Sequence, residues 1–143
     1  MSAAVTVQSI NRMTHLVAGD GHAIVADEPP DAGDDLGMDP YQLLLSALGA
    51  CTAMTLRMYA ERKGWPLESV NVRLTHERVH ARDCEDCEEG SEGYVEVIRR
   101  EVSVKGALDA EQLDRLRYIA TRCPVHRTLA AAPQVIDALS LAE

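Results

Sequence analysis

The sequence predicts one domain of mixed α and β structure, spanning residues 1–143. Three observations lead to this prediction. A chain of 143 residues suits a single domain of ordinary size. Short segments of alternating polarity, separated by turn residues, are typical of β-strands. A long apolar segment, with a capping signal before it and a stop signal after it, is typical of an α-helix.

The N-terminal part of the chain is predicted to form three short strands, at 5–10, 13–18 and 22–26. Gly19-Asp20-Gly21 predicts a tight turn between the second and third strands, because glycine and aspartate tolerate positive φ. Residues 27–39 are acidic, contain two prolines and show no periodic pattern. We therefore expect an exposed loop that leads into the main helix.

The main helix is predicted from its two ends. Asp39 is a good N-cap, Pro40 suits the first helical position, and Gln42 completes a capping-box pattern. At the other end Gly64 suits a positive-φ stop, and Pro66 prevents continuation. The helix is apolar on nearly every face, so it must be buried all round. One subunit of this size can hardly enclose it, and we expect an obligate dimer.

The second half of the chain is predicted to form two strands, two helices and a final strand, at 70–76, 94–105, 109–120, 124–131 and 135–141. Asp109 and Gln112 repeat the capping-box pattern at the start of the first of these helices. Cys123 precedes Pro124, and the residue before a proline disfavours helical geometry. We therefore expect the chain to break at Cys123 and to begin a new helix at Pro124.

The composition excludes several classes of function. The net charge is −9, which argues against nucleic acid or an anionic membrane surface as partner. We expect no membrane-spanning segment, because no apolar stretch is long enough. We expect the protein to be cytoplasmic, because the N-terminus lacks signal-peptide features. There is no phosphate-binding glycine loop or dinucleotide fingerprint, so no cofactor is expected. With no Phe and one Trp, the core must be aliphatic and sulfur-rich.

Two of the four cysteines are candidates for redox chemistry. As an N-cap, Cys123 lies where free amides and the helix macrodipole favour a thiolate, and His126 is close enough to orient toward the sulfur. The alternative is a helix-junction cysteine with an exposed histidine. Cys51 lies about three turns inside its helix and, taken alone, is a core residue. Its activation would need a charge from elsewhere, and Arg100, which shares a strand face with Val102, is a possible donor.

A third cluster holds His76, His80, Cys84 and Cys87. On an extended strand the two histidines point to the same side, and a Cys-x-x-Cys turn follows. Ligands of these types can close a tetrahedral zinc site. Two alternatives stay open, an auxiliary dithiol and a solvated acidic loop without defined chemistry.

Two motifs carry a resemblance to a known family. They are Met38-Asp-Pro-Tyr-Gln-Leu-Leu-Leu-Ser-Ala-Leu-Gly-Ala-Cys51-Thr-Ala-Met and Cys123-Pro-Val-His-Arg-Thr-Leu. The sequence resembles the OsmC/Ohr family of osmotically induced and organic-hydroperoxide-resistance proteins, along almost the whole chain. The resemblance implies an α+β fold with antiparallel sheets packed around a long central helix that bears Cys51. It also implies an intertwined homodimer with two active sites at the subunit interface.

The resemblance further implies a peroxidase cycle. Cys51 would attack the peroxide and become a sulfenic acid, and Cys123 would condense with it to a disulfide. The substrates would be organic hydroperoxides, with hydrogen peroxide as an alternative, and a dithiol such as a lipoylated protein would restore the thiols. Peroxidase members carry a glutamate where this chain has Tyr41, and it positions an arginine; Arg12 does not clearly match that arginine. The alternative is a non-enzymatic dimeric binding module, with zinc at the His/Cys cluster.

Overall fold

The computed structural model describes residues 2–88, 90 and 92–142. Its elements, in chain order, are β1 (Thr6–Asn11), β2 (Thr14–Gly19), β3 (His22–Ala26), α1 (Pro40–Lys63), β4 (Leu67–His80), a 3₁₀ turn (Ala81–Asp83), β5 (Tyr94–Gly106), α2 (Ala110–Ala120) and α3 (Pro124–Ala130). Strands and helices therefore occur where the sequence predicted them, with the exception of the last strand. The architecture is α+β.

The chain forms two compact units. One contains residues 1–46 and 76–97, and the other contains 47–75 and 98–143. The organisation of the whole chain as one domain stays a prediction.

The first unit contains a three-stranded antiparallel sheet in the order β1-β2-β3. Gly19 pairs with His22 at the β2–β3 turn, and Gly21 adopts a φ of 75° there. A positive φ at this position suits glycine, which has no Cβ to clash. The predicted turn is therefore confirmed.

Asp27 organises the loop that follows this sheet. Its carboxylate is buried, with 2% of the residue exposed. It accepts hydrogen bonds from the Thr14 hydroxyl (2.7 Å) and from the backbone N–H groups of Glu28 (2.8 Å), Asp34 (3.3 Å) and Leu36 (3.3 Å). The Thr14 bond, opposed by burial and supported by the backbone bonds, lowers the pKa of Asp27. The expectation of a wholly exposed loop is wrong at this residue.

The ends of α1 are formed as predicted. The backbone N–H of Asp39 donates to Gln42 Oε1 (3.0 Å), and that of Gln42 donates to Asp39 Oδ1 (2.8 Å). This reciprocal pair satisfies two of the backbone donors that the first turn of a helix leaves free. Gly64, with a φ of 69°, follows the last helical residue.

The burial of α1 differs from the prediction. Its buried residues are Leu48, Gly49, Thr52, Leu56 and Ala60. They recur every three or four residues and so share one face. Met54 and Met58 are 64% and 58% exposed, so the helix is not buried all round within one chain. By length and composition α1 could also cross a bilayer, which corrects the expectation that no stretch is long enough; core helices of soluble proteins pass the same test.

The second unit has an aliphatic core, as the absence of phenylalanine predicted. Its buried cluster consists of Leu56, Leu116, Ile119 and Ala120. Around it pack the partly buried Tyr59, Trp65, Val70, Val104 and Leu108. The predicted capping box of α2 is present, with Asp109 and Gln112 bonded reciprocally.

The predicted strand at 135–141 is wrong. The segment is irregular, and its apolar side chains are exposed: Val135 82%, Ile136 89%, Leu139 100% and Leu141 97%. A strand needs a neighbour to receive its backbone hydrogen bonds. The described part of the chain contains two sheets, β1-β2-β3 and β4-β5, and neither includes this segment.

Candidate active site

The two candidate redox cysteines lie together in the second unit. Cys51 is on α1, and Cys123 is the N-cap of α3, with an extended ψ of 131° before Pro124. The two thiols are close enough for each to shift the pKa of the other. Cys51 is half-buried, whereas Cys123 has 0% exposure. Residues 72 positions apart in the sequence thus form one dithiol pair.

The Cys123 sulfur is the better site for a negative charge. Burial is the largest single effect on this thiol and raises its pKa. Interactions with the Cys51 thiol, the backbone N–H groups of His126 and Val125, and the Thr52 hydroxyl outweigh it, so the pKa of Cys123 is lowered. The side chain does not close a regular capping hydrogen bond. The amides of the first helical turn nevertheless favour its thiolate.

The pKa of Cys51 is shifted in the opposite direction. Burial raises its pKa, and the hydrogen bond to Cys123 and the charge there raise it further. The N–H of Val125 and the hydroxyl of Thr55, which lies 4.0 Å from the sulfur, oppose this only in part. The pair therefore holds its first negative charge on Cys123 and keeps a proton on Cys51.

Thr52 connects this pair to Arg100. Thr52 is fully buried, and its Oγ1 accepts a hydrogen bond from Arg100 Nη1 at 3.1 Å. The same hydroxyl lies 2.7 Å from the carbonyl oxygen of Leu48 and 4.0 Å from Cys123 Sγ. A hydroxyl has one proton to donate, so the carbonyl and the sulfur compete for it.

Arg100 also determines the state of His126. Its Nη2 lies 3.0 Å from His126 Nδ1. A guanidinium can only donate, so Nδ1 accepts and the imidazole proton is on Nε2. Burial and then the positive charge of Arg100 lower the pKa of His126. The His126 ring is thus engaged with Arg100 through Nδ1, and it is the backbone N–H of His126 that lowers the pKa of Cys123.

A cavity of about 400 Å³ borders Arg100. Its lining is otherwise mostly aliphatic and comprises Leu56, Val102, Val104, Leu113, Leu116, Arg117 and Ala120. Arg100 therefore shares its strand face with Val102 and Val104, as predicted. The cavity can hold an apolar group, and its two guanidinium groups can interact with polar or anionic atoms.

The residues of the third cluster have partners other than a metal in this structure. Cys84 and Cys87 are joined by a disulfide, so neither thiol is free to bind a metal. His76 Nε2 lies 2.6 Å from Glu96, and His80 Nδ1 accepts from the backbone N–H of Arg82. Across residues 2–88, 90 and 92–142, no group of three or more His, Cys, Asp or Glu side chains could hold a metal ion.

Tyr41 and Arg12, the two positions that depart from the resemblance, have partners in the first unit. The Tyr41 ring stacks on His76 with 4.5 Å between the ring centroids. Arg12 forms an exposed ion pair with Asp34 at 2.8 Å. Both side chains are thus engaged with groups other than a thiol.

Thr52 is the site residue that the sequence did not reveal. The available signal is its position: it follows Cys51 directly and lies four residues from both Leu48 and Leu56, on the buried face. A polar side chain on the buried face of a helix needs a hydrogen-bond partner. That requirement identifies Thr52 as a candidate, but it does not identify Arg100 as the partner.

A family model described as OsmC-like protein matches residues 33–136, and the chain belongs to this family. No protein with a curated description matches the chain. The resemblance stated from the two cysteine motifs is thereby confirmed.

Solved structures agree in fold. An OsmC-like protein from Mycoplasma pneumoniae has a TM-score of 0.72 at 20% identity, covering 92% of this chain and 89% of that one. An organic hydroperoxide resistance protein OsmC from Legionella pneumophila has a TM-score of 0.63 at 17% identity, covering 90% and 89%. An OsmC-like protein of unknown function from Vibrio cholerae has a TM-score of 0.64 at 17% identity, covering 90% and 93%.

Proposed function

We propose that this chain is a thiol-dependent peroxidase that reduces organic hydroperoxides through Cys51 and Cys123. One observation carries the proposal: the two thiols lie close enough to act on each other, and their pKa values are shifted in opposite directions. Such a pair shares one proton between two sulfurs, so that one sulfur can attack as a thiolate while the other holds the proton. Membership of a family that includes named hydroperoxide resistance proteins agrees with this chemistry.

The first step uses the difference in burial between the two sulfurs. Cys51 is half-buried and the more accessible to a peroxide, while Cys123 is fully buried. The proton of Cys51 passes to the neighbouring Cys123 thiolate. The Cys51 thiolate then attacks the terminal oxygen of ROOH, the O–O bond breaks, and Cys51 becomes a sulfenic acid. The alkoxide that leaves takes the proton from Cys123 and departs as ROH.

The second step closes the pair. The Cys123 thiolate, regenerated by that proton transfer, attacks the Cys51 sulfur of the sulfenic acid. A disulfide forms, and hydroxide leaves as water after taking a proton from solvent. An external dithiol then reduces the disulfide by two thiol–disulfide exchanges. Cys123 thus acts in turn as base, acid and resolving nucleophile.

The cavity beside Arg100 supports an organic rather than a purely inorganic substrate. Neither cysteine lines this cavity, but Arg100 connects it to the pair through Thr52. Its mostly aliphatic lining favours an apolar R group over water. Arg100, through Thr52 and His126, holds the donors around Cys123 in place. We propose that this network takes the role that a glutamate–arginine pair has in other peroxidase members, since Tyr41 cannot position an arginine as a carboxylate does.

We further propose that two copies of the chain form the intertwined homodimer of the family, with α1 central in it, and that the protein acts in the cytoplasm. The exposed methionines of α1 and the exposed apolar residues of 135–141 support the dimer. Exposed apolar surface of this kind is typical of a protein interface. Sedimentation equilibrium of the purified chain tests it, and a monomer at micromolar concentration would contradict it.

The test of the peroxidase is peptide mass mapping after one equivalent of cumene hydroperoxide. We expect a Cys51–Cys123 disulfide within seconds, and consumption of the peroxide. The Cys51→Ser variant should leave the peroxide intact. The Cys123→Ser variant should over-oxidise Cys51 to a sulfinic acid, because no thiol is present to trap the sulfenic acid. A variant with both Cys84 and Cys87 replaced by serine is the matched control and should behave as the natural chain.

The contrary result is equally clear. If the peroxide persists and both thiols stay free, the chain is not a peroxidase. The non-enzymatic dimeric binding module then becomes the better interpretation, without the zinc that was considered for it.

A further inference from the structure

The loop between β4 and β5 contains a second pair of sulfur atoms. Cys84 and Cys87 form a disulfide with a sequence separation of 3. Both residues are half-buried, so each keeps part of its surface open to solvent. This pair belongs to the first unit, whereas Cys51 and Cys123 belong to the second. We propose that Cys84–Cys87 is a separate thiol–disulfide exchange site that accepts electrons from a dithiol reductant.

A purely structural role explains this disulfide poorly. The stabilisation that a cross-link provides grows with the length of the loop it closes, and this loop is among the shortest possible. The base of the loop is already held by backbone hydrogen bonds. The N–H of Ala81 donates to the carbonyl of Gly93 at 2.7 Å, and that of Cys84 donates to Ala81 at 3.2 Å. The disulfide adds little order to a segment held in this way.

The arrangement suits reversible exchange. Cys-x-x-Cys spacing lets the two thiols re-form their disulfide without rearrangement of the strands on either side. In the reaction, the thiolate of an external dithiol attacks one sulfur of the pair and releases the other, which takes a proton. The second thiol of the reductant then attacks the mixed disulfide. The reductant leaves as its own disulfide, and Cys84 and Cys87 each gain one hydrogen atom.

The charge of the loop selects the reductant. Residues 81–88 contain four carboxylates and one arginine, Arg82. Asp83 and Glu85, which flank Cys84 on either side, are exposed. A negative potential at the disulfide repels an anionic thiolate and favours a neutral or basic donor. We therefore infer that the natural reductant is a dithiol protein whose reactive thiols are surrounded by neutral or basic residues.

The experiment uses the full chain with Cys51 and Cys123 both replaced by serine, so that only this pair can react and no peroxidase chemistry contributes. Cys84 and Cys87 lie on one tryptic peptide, residues 83–99, so its mass after alkylation gives the redox state directly. We expect dithiothreitol to reduce the pair in the folded protein and glutathione disulfide to re-oxidise it. At low salt, anionic dimercaptosuccinate should reduce the pair about five-fold more slowly than dithiothreitol, and high salt should narrow this difference in rate.

The Glu85→Gln variant tests the role of the charge and should also narrow the difference in rate between the two dithiols. Two results would overturn the proposal. Peptide 83–99 could carry free thiols that glutathione disulfide does not oxidise. Alternatively, the disulfide could resist dithiothreitol until urea unfolds the chain, which would make it structural. Neither result bears on the reaction of Cys51 and Cys123 with peroxide, so the two proposals fail independently.

Discussion

Replacing Thr52 by valine tests the hydrogen-bond network around the thiol pair. Valine keeps the branched shape of threonine and removes only the hydroxyl. The buried Oγ1 accepts from Arg100 at 3.1 Å and lies 4.0 Å from Cys123 Sγ. Thr52→Val removes both contacts while the aliphatic packing of α1 is retained. We expect the pKa of Cys123 to rise and its thiolate to become less populated at neutral pH.

The expected size of the effect follows from these two contacts. A typical protein hydrogen bond contributes about 0.5–1.5 kcal/mol, and a bond to a charged group contributes more. The contact with sulfur is long, and Arg100 is only half-buried, so water can replace the lost acceptor. We therefore expect a loss of about 1 kcal/mol at the reacting pair, which is about five-fold in rate. The free energy of unfolding should change by no more than about 1 kcal/mol.

The assay is the second-order rate constant for loss of free Cys51 and Cys123 with cumene hydroperoxide, measured by rapid alkylation. Thr52→Ser is the matched control, because it keeps a hydroxyl at the same position, and it should react within about two-fold of the natural chain. A valine variant that reacts as fast as the serine variant would refute the role of the hydroxyl. In that case Arg100 would have no path through Thr52 to the reacting sulfur.

Three further predictions concern stability. Leu56 is 1% exposed and belongs to the core cluster. The Leu56→Ala substitution should lower the free energy of unfolding by about 3 kcal/mol, measured in urea. Burial and the charge of Arg100 lower the pKa of His126, so the unfolded chain binds more protons than the folded chain below the ordinary value of 6.5. The free energy of unfolding should therefore fall as the pH drops through that value. The His126→Asn variant should show a weaker dependence of stability on pH. The Thr14 hydrogen bond lowers the pKa of Asp27. The ionised carboxylate therefore stabilises the fold above the ordinary value of 3.8, and this stabilisation is lost as the pH falls below that value. In acid unfolding curves the Asp27→Asn variant should lack this pH-dependent decrease in stability.

Each of these has a result that contradicts it. For the core, Leu36→Ala is the control, since Leu36 is 65% exposed and should change stability by less than about 0.5 kcal/mol; equal losses at Leu36 and Leu56 would contradict the assigned core. For His126, stability that is unchanged between pH 7 and pH 5 would show that the ring takes up a proton freely in the folded state. For Asp27, an acid transition that is the same in the asparagine variant would exclude this carboxylate as its cause.

The parts of the fold that the sequence predicted are those determined by neighbouring residues. The capping boxes of α1 and α2 depend on pairs three residues apart, Asp39 with Gln42 and Asp109 with Gln112. The break at Cys123 depends on the adjacent proline. Such signals are complete within one turn of helix, so no tertiary information is needed to recognise them.

The parts that were missed depend on distant partners. The buried Asp27 depends on Thr14, on β2, which donates a hydrogen bond to its carboxylate. Arg100 reaches Thr52 across 48 residues of sequence. The segment at 135–141 has the composition of a strand, but composition does not supply the neighbouring strand that would make it one. For the thiol pair, the two motifs identified the cysteines, but only the folded chain shows which sulfur receives the hydrogen bonds.

The opposite order of acidity and exposure in the thiol pair has a consequence for chemical labelling. The thiolate fraction is larger on Cys123, but this sulfur is fully buried in the folded chain. An alkylating reagent therefore labels Cys51, the sulfur that it can reach, at a rate limited by the small thiolate fraction there. Unfolding the chain exposes both thiols and removes the difference between them. A reactivity survey of the folded protein would therefore rank both cysteines low, although one of them carries the thiolate.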